Sequence, residues 1–163
     1  MKLFLLRHAD ALTGPNDKER PLSPEGEETI RCLAKHLARH HRKLPTTFHH
    51  SSLLRARQSA EILAENLPGE HHCRKMAGIT PYDTPDRAAK TVQDSSEDHL
   101  LVGHEPHLGQ LASLLICGDS EAGAFEVKKA SLICLEHQIR ITASTGAYSR
   151  WVVKWMLTPA LYR

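Results

Sequence analysis

Lys2-Leu3-Phe4-Leu5-Leu6-Arg7-His8-Ala9 is the stretch whose reading decides the fold. Leu3 to Leu6 form a short apolar block with no polar alternation. That pattern belongs to a strand buried on both faces in a parallel sheet. A permanent cation and a potential nucleophile follow at once. A strand that ends in such a pair projects it into the crevice at the carboxyl edge of the sheet, where open α/β proteins bind ligands. Taken alone, Arg7-His8 fits a solvated loop equally well, because a dipeptide is weak evidence. The remainder of the chain decides between these readings.

Downstream of the block, a polar loop runs from Asp10 to Leu22. Ser23-Pro24-Glu25 then starts a helix, with Ser as N-cap and Pro at the first helical position. Ile30, Leu33, Ala34, Leu37 and Ala38 recur at helical spacing and define its buried face. Thr46 to His49 is a short β-prone segment. Ser51-Ser52 caps a second helix carrying Leu53, Ala56, Ala60, Leu63, Ala64 and Leu67, stopped by Pro68-Gly69. A short strand fits between His71 and Ile79. Thr84-Pro85 opens a third helix with Ala88, Ala89 and Val92. Leu100-Leu101-Val102 is a further buried-strand signal, ending in Gly103-His104. Pro106 starts a fourth helix with Leu108, Leu111, Ala112, Leu115 and Ile116, stopped by Gly118-Asp119. Ser131 to Ile139 and Arg150 to Leu157 are β-rich, with a hairpin suggested by Thr145-Gly146. Repeated β-loop-α units followed by strands predict an α/β fold: three layers, with a mostly parallel central sheet and an antiparallel late strand.

Size and composition agree with one globular unit. The chain has 163 residues, 40% hydrophobic and 25% charged, enough to bury a sizeable core. A net charge of +2 with only 5% aromatics argues against nucleic-acid binding. No stretch approaches the ~18 apolar residues of a membrane span. The N-terminal apolar run is too short for a secretory signal, so a reducing cytoplasm is the expected compartment. Cys32, Cys73, Cys117 and Cys134 form no CxxC pair; Cys32, Cys117 and Cys134 read as small core residues.

Three strand-to-helix junctions carry His or Arg: Arg7-His8, Arg55 after Phe48-His49, and His104. In a parallel sheet such junctions share one edge, so Arg7, His8, Arg55 and His104 converge on one pocket, with Arg20 from the first loop beside them. That set suits phosphate. Arginine offers a planar fork of donors, and a neutral imidazole is a competent nucleophile. It calls for no metal and no cofactor. The other candidates read as structural. His40-His41, His49-His50 and His71-His72 lack ligand spacing. His104-Glu105-Pro106-His107 is not a zinc helix, because Pro106 breaks it. Arg57 points away from Arg55 into solvent. Trp151 and Trp155 read as sheet packing.

These blocks resemble the histidine phosphatase superfamily, also called phosphoglycerate mutase-like, and within it the SixA-type phosphohistidine phosphatases. Leu6-Arg7-His8-Ala9 resembles the Arg-His-Gly hallmark. Arg20 to Gly26, Ser51 to Glu61, Val102 to Pro106 and Trp155 to Pro159 resemble later blocks in the same order. The resemblance implies one histidine phosphatase domain over residues 1–163 and a metal-independent phosphatase. It implies a phosphohistidine intermediate on His8, with the phosphoryl group bound by Arg7, Arg55 and His104 and assisted by Arg20. The expected substrate is phosphohistidine on a protein, such as a phosphohistidine-carrying signalling domain, met by a monomer without nucleic acid or membrane. A small phosphomonoester such as a sugar phosphate, or a phosphoprotein-binding module without turnover, is the alternative. The chain departs from the family pattern at Ala9 (for Gly), Ser52 (for Pro) and Ser59 (for Thr). The segment between Met76 and Glu97 is also short, where mutase-type relatives carry an insertion with an acidic proton donor. Asp83, Asp86, Asp17 and Glu19 are candidates for that donor. Asp17 is preferred for its place three residues before Arg20.

Overall fold

The computed structural model describes residues 1–40, 42–142 and 146–163. The elements follow in the order β1 (Lys2–Arg7), α1 (Pro24–Arg39), β2 (Thr47–His50), α2 (Leu54–Glu65), β3 (His72–Lys75), α3 (Asp86–Gln93), β4 (His99–Gly103), α4 (His107–Cys117), β5 (Leu132–Thr142), β6 (Gly146–Leu157) and α5 (Pro159–Tyr162). Six strands make one sheet, ordered β3-β2-β4-β1-β5-β6. The pairs among β3, β2, β4 and β1 are parallel, and β5 runs antiparallel to both β1 and β6. This is the three-layer α/β arrangement expected from the sequence, with β5 as the one reversed strand.

The absence of alternation in β1 has a direct structural cause. Phe4 and Leu6 point into one core with Ile30, Leu33, Leu37, Ala56, Ala60 and Leu63 of α1 and α2. Leu3 and Leu5 point into the other with Ala88, Val92, Leu108, Leu111 and Leu115 of α3 and α4. Each buried Leu, Ile, Val or Phe among them contributes roughly 1.5–3 kcal/mol relative to exposure. β1 is therefore fixed by packing on both faces and by pairing on both edges: Leu5 lies opposite Leu101 of β4 and Ile133 of β5.

Helix α1 starts where the sequence places it. Ser23 Oγ accepts the Gly26 N–H, and Pro24 opens the helix. Gly26 is required there, since a Cβ would lie 2.2 Å from the Asp10 carbonyl oxygen. Close approach of α1 to the loop after His8 depends on that missing methylene.

Several details differ from expectation. The α2 N-cap is Leu53, with no side-chain cap bond. Ser51 Oγ does accept the Leu53 N–H at 3.3 Å, but it also meets His104, so the hydroxyl belongs to the sheet edge as much as to the helix. β2 is shifted one residue toward the C-terminus, because its register with β4 pairs His50 with Val102. β5 and β6 extend past the predicted ends, pairing through Thr142 and Gly146 while exposing Ile139 and Ile141. Their length is set by the hairpin ladder and not by burial. Thr145 and His41 lie outside the described residues. Cys134 is buried, Cys32 is half-buried and Cys117 is exposed, because it is the last residue of α4 before the left-handed Gly118. Trp151 is buried in the second core, and Trp155 packs against Phe4 with ring centroids 5.9 Å apart.

Candidate active site

Parallel pairing of β1, β4 and β2 carries their C-terminal ends to one edge. The register aligns Arg7 with Gly103, so the next residues of both strands, His8 and His104, come side by side. Their ring centroids are 4.8 Å apart. Backbone bonds extend this alignment past the strands: His8 N–H donates to Gly103 O at 3.1 Å and Ser51 N–H to Val102 O at 3.1 Å. A cleft of about 210 Å³ lies there, lined by Arg7, His8, Ala11, Arg20, Arg55, Pro81, His104, Glu105 and Lys129. Five of the six sequence-selected residues meet in it. The sixth, Asp17, does not line the cleft.

The surroundings of His8 suit it to act as a nucleophile. Its Nδ1 lies 2.6 Å from the Ala9 carbonyl oxygen. A carbonyl only accepts, so Nδ1 carries the proton and Nε2 presents a lone pair, which Arg55 Nε approaches at 3.3 Å. Burial is the main cause that pushes the His8 pKa from 6.5 down to about 4. The Ala9 bond opposes this, while the charges of Arg55 and Arg7 add to it. The imidazole is thus neutral near pH 7. His104 is pushed down to about 2 by burial first, then by His8 and Arg55.

The environment of His104 includes a contact that the sequence did not announce. Its Nε2 lies 2.5 Å from Ser51 Oγ. Ser51 Oγ has no other acceptor for its proton among the described residues, so donating to Nε2 satisfies this buried hydroxyl and places the His104 proton on Nδ1. That Nδ1 is buried and has no partner among the described residues, and neither has Arg7 Nε. These two unpaired groups belong to residues that line the cleft with His8. Burying a donor unpaired costs about 1–3 kcal/mol.

The arginines are braced from behind. Asp17 sits in a 3₁₀ turn of the first loop. It accepts Arg55 Nη2 at 3.2 Å and Arg20 Nη1 at 3.0 Å, and its carbonyl accepts Arg55 Nη1 at 2.7 Å. Burial raises the Asp17 carboxyl, but bonds from Arg55 and Arg20 outweigh it and hold the group below the usual carboxylate range. An acid held ionised is a poor proton donor, so this geometry suits Asp17 to orienting the two guanidiniums. Asp83 is likewise held low, by Thr80. Arg57 is exposed and pairs with Glu61, as expected for a solvated residue.

Three departures from the family pattern have local explanations. Ala9 places its methyl in the first core, fully buried, and away from the cleft. Ser59 Oγ accepts the Ala9 N–H at 3.2 Å and donates to the Arg55 carbonyl at 2.8 Å, tying the nucleophile's strand to α2. Ser52 begins no helix turn of its own. Two cleft residues carried no sequence signal. Glu105 has its carboxyl pushed up by burial, against the backbone N–H groups of Val127 and Gly109 that bind it. Lys129 pairs with Asp10 at 2.6 Å on the rim. Ala130, beside it, has φ +58°, a left-handed conformation costing about 1–2 kcal/mol for a residue with Cβ. Its N–H contacts the carbonyls of Arg7 and His8 at 3.1 and 3.2 Å, which pins the end of β1.

Residues 3–76 match the histidine phosphatase superfamily (branch 1). An uncharacterized protein of Picosynechococcus sp. is 33% identical, over 96% of this chain and 99% of its own length. Among solved structures, the protein histidine phosphatase SixA complexed with tungstate superposes with a TM-score of 0.78 at 21% identity, covering 98% of both chains. A phosphoserine phosphatase of Entamoeba histolytica in complex with 3-phosphoglyceric acid superposes at 0.63 and 14% identity, covering 96% of both chains. At those identities the two solved structures establish a shared fold.

Proposed function

We propose, from the premise that this chain belongs to the histidine phosphatase superfamily and is a phosphatase, that it removes phosphate from phosphohistidine on a protein. His8 Nε2 attacks phosphorus in line with the departing substrate nitrogen. The P–N bond breaks and a P–Nε2 bond forms. Water then attacks phosphorus, the P–Nε2 bond breaks, and His8 is regenerated with release of inorganic phosphate. Phosphoryl transfer needs mainly positioning and charge stabilisation, which Arg7, Arg55, Arg20 and the His104 Nδ1–H supply. The substrate imidazole leaves as a neutral base once its second nitrogen is protonated, so it makes little demand on a protein acid. None of these steps calls on a metal.

The small size of the cleft carries the substrate reading. At about 210 Å³ it is smaller than the roughly 300–1,000 Å³ of sites that enclose whole small ligands. Between β3 and β4 the described residues hold one helix, α3, and it packs its apolar face into the second core. No helix there closes over His8. A small site at a sheet edge suits a phosphorylated side chain presented by another macromolecule. The similarity to SixA, a protein histidine phosphatase, supports the same reading. Hydrolysis of a small phosphomonoester is the second reading. It is favoured by an adjoining groove of about 590 Å³ that would hold the rest of a small ester. A substrate panel decides. The expected kcat/KM for a phosphohistidine peptide exceeds that for sugar phosphates by at least roughly tenfold, ~1.4 kcal/mol. The reverse order establishes the second reading.

A further inference from the structure

The groove beside the cleft is built and charged in a way that the phosphoryl chemistry does not use. It is lined by Arg7, Glu126, Lys128, Lys129, Met156, Thr158, Pro159 and Ala160. Arg7 and Lys129 also line the cleft, so the two spaces are contiguous. The floor is half-buried Met156, Thr158 and Pro159, and the wall is exposed Glu126, Lys128 and Lys129. Tyr162 Oη donates to the Ala130 carbonyl at 2.7 Å, tying α5 to the loop that carries the lysines. The groove therefore keeps its shape without a ligand.

Charge and polarity narrow the occupant. Three cations face one carboxylate across this surface. Lys129 is matched by Asp10, whereas Lys128 makes no ion pair among the described residues. An apolar floor next to an uncompensated cation fits an extended piece of polypeptide bearing a carboxylate and an apolar side chain. We propose that this groove binds the segment of the substrate protein flanking the phosphohistidine, and that Lys128 selects an acidic residue in it. This rests on the phosphohistidine reading above. A polypeptide is favoured over the tail of a small ester because the groove is an open trough. Its cation is exposed on the rim, where it reaches a long flanking chain and cannot enclose a compact molecule.

The test compares two phosphohistidine peptides, with acidic and with neutral flanks, and p-nitrophenyl phosphate. Wild type and Lys128→Glu are assayed on all three. Lys128→Glu is expected to lower kcat/KM for the acidic peptide at least tenfold, mainly through KM, and to change the aryl phosphate less than twofold. Ala160→Glu, also in the groove, should reduce the same peptide's kcat/KM severalfold. Equal losses on the acidic peptide and the aryl phosphate, or no loss on either, overturn the proposal. So does a Lys128→Glu effect confined to the aryl phosphate, which assigns the groove to a small ester. If wild type cleaves both peptides equally well, the groove assignment fails while the phosphohistidine reading stands. If wild type cleaves the aryl phosphate and neither peptide, both fail.

Discussion

The cleft and the groove share Arg7 and Lys129 and are otherwise built in opposite ways. Cleft side chains come from the ends of packed parallel strands and from the first turn of α2. His8, Arg55 and His104 are almost wholly buried. Apart from Arg7, groove side chains come from the loop before β5, the end of β6 and the start of α5, and its lysines stand in solvent. In the cleft, burial sets the chemistry by keeping imidazoles neutral and leaving two donors without partners. In the groove, burial is slight, and ion pairs on a wet surface are each worth little, about 0–1 kcal/mol. On the proposed reading, the difference separates catalysis from recognition. Changes in the cleft should affect every substrate alike, and changes in the groove should affect only large ones.

The strongest test of that division is His8→Ala. Turnover of peptide and aryl phosphate should both fall by roughly 10³-fold or more, ~4 kcal/mol, because no other nucleophile is oriented there. Melting behaviour should stay near wild type, and rapid quenching of the wild type should find label on His8. Substantial activity in the alanine variant would dissolve the distinction. Arg55→Lys comes next. An ammonium cannot reproduce a fork that reaches His8 and Asp17 together, so a loss of about 10²-fold in kcat is expected on both substrates. A loss on the peptide alone would move Arg55 to the recognition side.

Ser51→Ala sharpens the boundary further. It removes the group that fixes the His104 tautomer, and roughly tenfold lower kcat with unchanged peptide preference is expected. The smallest effect is on protons. Burial depresses His8 from 6.5 to about 4, so its NMR titration in the free protein should show a neutral ring down to near pH 4. In the unfolded chain the same ring takes up its proton near 6.5. The unfolded state therefore binds more protons below that value, and this group's contribution makes folding stability fall as pH drops from about 6.5 toward 4. Titration near 6.5 would mean that His8 is as wet as the groove.

The same contrast governs what was legible in the chain. Leu3 to Leu6 and Leu100 to Val102 announced buried strands because their neighbours on both faces are apolar, and strand order then placed His8 and His104 at one edge. Ser23-Pro24 announced α1 because capping is local chemistry. The partnership of Ser51 with His104 was not legible, since it spans two strands and depends on their register. Nor were Glu105, Lys129 and the groove. Residues 124–131 have no periodicity to read. Long-range bonds hold this loop in place: Arg7 Nη1 to Val127 O at 2.8 Å, and Val127 N–H to Glu105 Oε1 at 2.6 Å.

The brace formed by Asp17 bears on the end of the reaction cycle. Its carboxylate already occupies Nη1 and Nη2 of Arg55 and one Nη of Arg20. Those are the kinds of donor that an outgoing phosphate must give up. A tethered anion within reach means the guanidiniums need not be stripped bare at the moment of release. In the proposed reaction, product departure would then resemble an associative ligand exchange, one carboxylate taking over as one phosphate withdraws, and the arginines would return to the alignment the next substrate meets.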